Sequence, residues 1–103
     1  MSIKDVVIVC ACRTPIGDFL GSLKDVPARS LAMLVGKEAI QRAGITPEIV
    51  DEISMGEGYG AMQGSLPARQ VSMRIGLPAR SGACVVNQNC ASGMRALEIA
   101  CHN

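Results

Sequence analysis

The stretch Ala83-Cys84-Val85-Val86-Asn87-Gln88-Asn89-Cys90-Ala91-Ser92-Gly93-Met94 changes its period part-way along. Residues 83–88 read as a strand, a short run that is apolar at its start and too short for a helix. From Ala91 onward Met94, Leu97 and Cys101, with Ala100 beside them, recur at helical spacing. A strand therefore runs into a helix through a tight turn, and Cys90 stands where the helix begins. Upstream, the same alternation repeats. Pro67 opens a helix, with Ser65 or Leu66 before it; Ala68, Val71 and Ile75 form its apolar face and Gly76 ends it. Residues 52–55 read as a strand, and Gly56, Gly58, Gly60 and Gly64 as a flexible loop after it. Thr46-Pro47-Glu48 starts a short helical turn with Thr46 as its N-cap. Pro27 begins a further helix with the apolar stripe Leu31, Val35, Ala39 and Ala43, flanked by Ala32, Gly36 and Ile40, an i, i+4 pair of Glu38 and Arg42, and Gly44 closing it. Val6-Val7-Ile8-Val9-Cys10-Ala11 is a continuous, largely β-branched run, the pattern of a strand buried on both faces. Residues 13–21 form a long loop. Three strands thus alternate with three helices, which implies an α/β fold with a mainly parallel sheet, layered α-β-α.

The counts narrow the function classes. The chain has 103 residues, one small domain at most. Ten Lys and Arg against nine Asp and Glu leave a net charge of +1, which provides no electrostatic footprint for nucleic acid or an anionic membrane surface. The apolar run 6–12 is far shorter than the ~20 residues that span a bilayer. Lys4 precedes it as in a signal peptide, but Asp5 and Arg13 flank the run with charge, so the expected compartment is the cytoplasm. Hydrophobic residues make up 49% of the chain, which excludes disorder, yet there is one Phe, one Tyr and no Trp. The core must be aliphatic, with Met33, Met62, Met73 and Met94 as core or interface filler. So short a chain buries only about 60–70% of its unfolded surface, and its mean hydropathy is positive. Apolar surface is therefore expected to need cover from elsewhere. Three strands are few for a sheet and no strand follows the helix that ends near Asn103. The expectation is that residues 1–103 are the N-terminal piece of a larger fold. Five cysteines are an odd count and no pair has Cys-x-x-Cys spacing, so free thiols are expected, with no disulfide and no metal site.

Cys90 has a chemical setting that the other four cysteines lack. Unpaired N–H groups and the helix dipole put partial positive charge at a helix start. A free thiol with an ordinary pKa is only about 3% ionised at pH 7, and such a position favours the thiolate. The small neighbours Ala91, Ser92 and Gly93 allow close approach of a substrate, and the backbone N–H of Cys90 can point at an oxyanion. Cys90 is thus a candidate nucleophile for acyl transfer; the alternative is a small buried residue beside a turn.

These residues resemble the N-terminal part of the thiolases, the acetyl-CoA acetyltransferase and 3-ketoacyl-CoA thiolase family. Val6-Val7-Ile8-Val9 through Arg13-Thr14-Pro15-Ile16-Gly17 is similar to the family's opening strand and loop, followed in register by Gly21-Ser22-Leu23. Pro67-Ala68-Arg69-Gln70 resembles the start of the family's second helix, and Cys90-Ala91-Ser92-Gly93-Met94 its nucleophile motif. The resemblance spans essentially the whole chain. It implies a thiolase-like fold of which this is part of the N-terminal half, with residues 1–103 forming an incomplete N-terminal domain. It implies that Cys90 takes an acyl group from acyl-CoA as a thioester, with its backbone N–H helping to hold the thioester oxygen. A second acetyl-CoA then loses an α-proton and attacks, giving acetoacetyl-CoA; thiolysis is the reverse. Coenzyme A thioesters are substrates, no further cofactor is implied, and the whole enzyme is expected to be a homodimer or homotetramer.

In the family the activating His and a second catalytic Cys lie in the C-terminal half. His102 does not stand in for that base. In a continuous helix it lies about 18 Å from Cys90 at ~1.5 Å rise per residue, against the ~3 Å that proton transfer needs, and Cys101 fails likewise. The chain alone is therefore expected not to turn over. Gln88 and Asn89 depart from the family's more usual Lys and apolar residue, and Cys10 and Cys12 from its Ser or Ala. Two other readings compete: a ketoacyl synthase-like condensing enzyme acting on carrier-bound substrates, and a non-catalytic remnant or redox-sensing thiol module. Gly56-Glu57-Gly58-Tyr59-Gly60 lacks the rest of a phosphate-loop pattern and reads as a plain loop. Arg13 and Arg69 read as loop anchors or ion-pair partners.

Overall fold

A computed structural model describes residues 5–60 and 64–103; Lys4 and Met62 lie outside them. The chain folds as α1 (Ala28–Ala43), a 3₁₀ turn (Pro47–Ile49), β1 (Glu52–Gly56), α2 (Pro67–Arg74), β2 (Gly82–Val86) and α3 (Ser92–His102). β1 and β2 are parallel, in register from Glu52 opposite Gly82 to Gly56 opposite Val86, with α2 as the crossover that parallel pairing demands. Alternation along β1 assigns the two faces. Ile53 and Met55 pack towards the core of Val71, Ile75 and Leu77 on the α2 side. Gly56 meets the first turn of α3 on the other. The layers are therefore α-β-α, with α1 stacked on α2.

Local chemistry sets the boundaries. Gly44 sits left-handed at φ 69° while its N–H donates to Gln41 O and that of Ile45 to Ile40 O, closing α1. On the exposed flank of α1 the Arg42 guanidinium meets Glu38 at 2.8 Å. Thr46 precedes the 3₁₀ turn, but its hydroxyl makes no cap. Pro67 opens α2 after Leu66, which occupies a positive φ of 32° with no side-chain cap. Arg69 is a loop anchor: its guanidinium donates to Ser81 O at 2.9 Å and Ala79 O at 3.0 Å, holding the α2–β2 connector. Among the described residues Arg13 makes only a local bond, to Thr14 O.

The structure corrects four expectations. Residues 6–11 form no strand. A strand exists only through its ladder, and β1 and β2 pair only with each other. Val6, Val7, Ile8 and Val9 stay 63–73% exposed, while Cys10 and Cys12 lie along an open groove beside β1. Among the described residues the sheet thus has two strands, not three. Second, the side of α1 that meets the core is the flank of the expected stripe, Ala32 and Ile40, joined by Met33, while Val35 and Ala39 of its centre line the groove. Gly36 lies between Ala32 and Ile40, where a Cβ would meet Ile75 Cδ1 at 3.0 Å. Helices approach most closely where the side chain is smallest, and that rotates the stripe sideways. Third, α3 buries Ser92 and Ala96, while Met94 and Leu97 of the expected stripe are 79% and 52% exposed; small residues again win the close contact. Fourth, Gly56 is the last strand residue, not a loop residue. Met33 packs on the core, whereas Met73 and Met94 are exposed. Large apolar side chains remain uncovered in number, among them Ile16, Phe19 and Tyr59, as the composition leads one to expect.

Candidate active site

Cys90 occupies the turn between β2 and α3, carries a free thiol and is exposed. Two side chains build that turn. Asn87 accepts the N–H of Asn89 on Oδ1 at 2.9 Å and donates through Nδ2 to Gly58 O at 3.1 Å. From inside, the Ser92 hydroxyl accepts the N–H of Gln88 at 2.9 Å and donates to Asn89 O at 2.7 Å. Ser92 is 3% exposed, so both bonds are shielded from water. Between these staples Asn89 adopts φ 51°, a left-handed conformation that Asn tolerates better than other side-chain-bearing residues. The chain reverses there and delivers Cys90 just ahead of α3.

The helix end beside Cys90 is open. Ala91 caps α3 with no side-chain bond, and its first turn contains no acidic residue. No side chain of that first turn therefore neutralises the partial positive charge of the helix start. Gly56 lets β1 press against this turn: a Cβ there would lie 2.5 Å from Ser92 C and 2.6 Å from Gly93 N. Gly58 approaches the same turn, its Cβ position 3.4 Å from Asn89 O. The groove beside β1, about 720 Å³, reaches this end through Gly56 and Gly93. Among the described residues, both carboxylate oxygens of Glu57 are buried with no hydrogen-bond partner.

His102 ends α3, an unbroken helix from Ser92, and shares a small cleft with Arg95, Glu98, Ile99 and Asn103. The length of α3 puts it about 15 Å along the axis from Ser92, so neither it nor Cys101 meets Cys90. Among the described residues no three His, Cys, Asp or Glu side chains form a metal-ligand group, and no helix is long and apolar enough to cross a membrane. Sequence reasoning singled out Cys90 as a candidate but not Asn87 or Gly56, and took Ser92 only for a small neighbour. The Asn-x-Asn spacing of residues 87 and 89 is a signal for an Asx-type turn. The role of Gly56 has no local signal, because α3 is 36 residues away in sequence.

The family model described as the thiolase N-terminal domain matches residues 6–103. The chain belongs to the thiolase family. Within that family it is 48% identical over 94 residues to the acetyl-CoA acetyltransferase of Paracoccus denitrificans, a match covering 91% of this chain and 24% of that protein. The acetyl-CoA acetyltransferase structure from Syntrophomonas wolfei superposes with a TM-score of 0.84 at 56% identity, covering 87% of this thiolase chain and 23% of that one. The Acat5 thiolase of Ascaris suum, solved in complex with coenzyme A, also gives 0.84, at 31% identity over 86% of this chain and 23% of its own. The thiolase chain described here thus spans about a quarter of the length of these relatives. Its α/β architecture is theirs.

Proposed function

We propose that this chain carries the acyl-accepting nucleophile of an acetyl-CoA acetyltransferase, and that Cys90 is that nucleophile. The observation that supports this best is the exposed Cys90 thiol on a doubly stapled turn at an uncapped helix start. In the reaction the Cys90 thiolate attacks the acetyl carbonyl of acetyl-CoA, and coenzyme A leaves as its thiol after taking up a proton. The Cys90 backbone N–H holds the thioester oxygen. A second acetyl-CoA, deprotonated at its α-carbon, attacks the acetyl group; the Cys90 thiolate leaves and acetoacetyl-CoA forms. Thiolysis runs the same steps backwards. The substrates are coenzyme A thioesters and no other cofactor enters.

Residues 1–103 act in this reading as part of a thiolase N-terminal domain. The base and the second cysteine come from outside them, so the 103-residue chain alone does not turn over. The working protein is a homodimer or homotetramer whose contacts cover apolar surface left exposed here. It acts in the cytoplasm, where five unpaired thiols persist. The test is to incubate the native protein, expressed from its own full gene, with acetyl-CoA and to map acetylation by peptide mass spectrometry. Acetylation on the Cys90 peptide, lost in Cys90→Ala together with acetoacetyl-CoA thiolysis, is the expected result. Thiolysis retained in Cys90→Ala would overturn the assignment. Turnover by the 103-residue chain above that control would overturn the need for outside residues.

A further inference from the structure

We propose that Asn87 is the positioning residue of this site, holding the Cys90 turn and the loop after β1 together as one unit; this rests on the reading of Cys90 as nucleophile. A single side-chain amide does two jobs. Its oxygen accepts from the Asn89 N–H at 2.9 Å and its nitrogen donates to Gly58 O at 3.1 Å. The partners fix which atom is which, since an N–H demands the oxygen and a carbonyl demands the NH₂ group. The first bond spans residues i and i+2 and holds Asn89 at its φ of 51°, which aims the chain at Cys90. The second crosses from β2 to the loop after β1, 29 residues away in sequence. That loop is joined to β2 once more, by the Glu57 N–H on Val86 O at 3.0 Å, and it presents Tyr59, 95% exposed. The buried Ser92 hydroxyl ties the turn to the start of α3, whereas Asn87 ties it across to the loop after β1.

No other residue type reproduces both bonds. Asp keeps the acceptor for Asn89 but has no donor for Gly58 O and sets a charge against that carbonyl. Ala loses both bonds. Gln keeps both functional groups on a stem one methylene too long to close the i, i+2 ring.

The experiment measures, in the native protein from its full gene, the single-turnover rate of Cys90 acetylation by acetyl-CoA. It also measures the KM for acetyl-CoA, the urea midpoint and hydrogen exchange at the Asn89 amide. For Asn87→Ala the expected result is acetylation slowed by roughly tenfold or more, KM changed less than twofold and faster exchange at Asn89. For Asn87→Asp the expected result is an intermediate rate with Asn89 still protected. Wild-type acetylation in Asn87→Ala would overturn the inference. So would a lower urea midpoint with an unchanged rate in the folded protein, the mark of a merely structural residue. If wild-type Cys90 is not acetylated at all, the proposed function fails and the exchange data decide the inference alone. Faster exchange at Asn89 in Asn87→Ala supports the staple, and unchanged exchange overturns it. Should Asn87→Ala not fold, Asn87→Asp decides: protection kept at Asn89 with slowed acetylation supports the inference, and wild-type acetylation overturns it.

Discussion

Gly56→Ala adds one methyl group where β1 and α3 touch. A Cβ at that position lies 2.5 Å from Ser92 C and 2.6 Å from Gly93 N, and is also in contact with Ser92 O. All three atoms are backbone of the first turn of α3, which cannot swing aside as a side chain can. To reach 3.4 Å, where ordinary contact begins, the helix start must retreat by about 0.9 Å. Overpacking of this kind costs about 1–3 kcal/mol. The retreat also moves the segment that carries Cys90, and a displacement near 1 Å at a reacting centre can lower a rate by about 10²-fold. The assay pairs urea denaturation of the native protein with the rate of Cys90 acetylation. Gly93→Ala is the matched stability control, because a Cβ there meets nothing within 4 Å. Replacing a helical glycine by alanine should raise stability by about 0.5–1 kcal/mol. The expected pair is therefore a lower midpoint and slower acetylation for Gly56→Ala, and a higher midpoint for Gly93→Ala. A Gly56→Ala protein with wild-type midpoint and rate would refute the close approach of β1 to α3, and with it the account of how Cys90 is placed.

Leu66→Asn should stabilise the protein by about 1 kcal/mol: Leu66 sits at φ 32° as an uncapped N-cap and its side chain is already 43% exposed. Comparing its urea midpoint with that of Leu66→Gly, which relieves the backbone but adds no cap, isolates the capping bond. Glu57→Met should raise the stability read from urea denaturation by roughly 1–3 kcal/mol, the cost of a buried polar group without a partner, since among the described residues both carboxylate oxygens are buried and unbonded. A fall in the midpoint would mean that a donor from another part of the native protein pairs with Glu57.

Much of this arrangement was legible in the sequence because its causes are local. The Pro and Gly residues that bound the helices act within a turn of their own positions, and Pro67, Gly44 and Gly76 fall at or next to the ends they mark. Ala68, Val71 and Ile75 are buried as their spacing on α2 implies. Cys90 stood out because a strand-to-helix change of period brackets it.

What failed depended on distant partners. Residues 6–11 have every intrinsic preference of a strand, yet propensity supplies no hydrogen-bond partner, and among the described residues none pairs with them. The stripes on α1 and α3 are truly periodic, but which side of a helix is buried depends on where it can come closest to its neighbour. Gly36, on the flank of the expected stripe, decides that for α1, and Ser92 and Ala96 decide it for α3. The same holds at the site. Composition and period determined that a cysteine would begin a helix after a strand. Only the tertiary structure decided that Asn87 would reach Gly58 and that Gly56 would admit α3, because those contacts join residues some thirty positions apart, and no local periodicity encodes a contact across that distance.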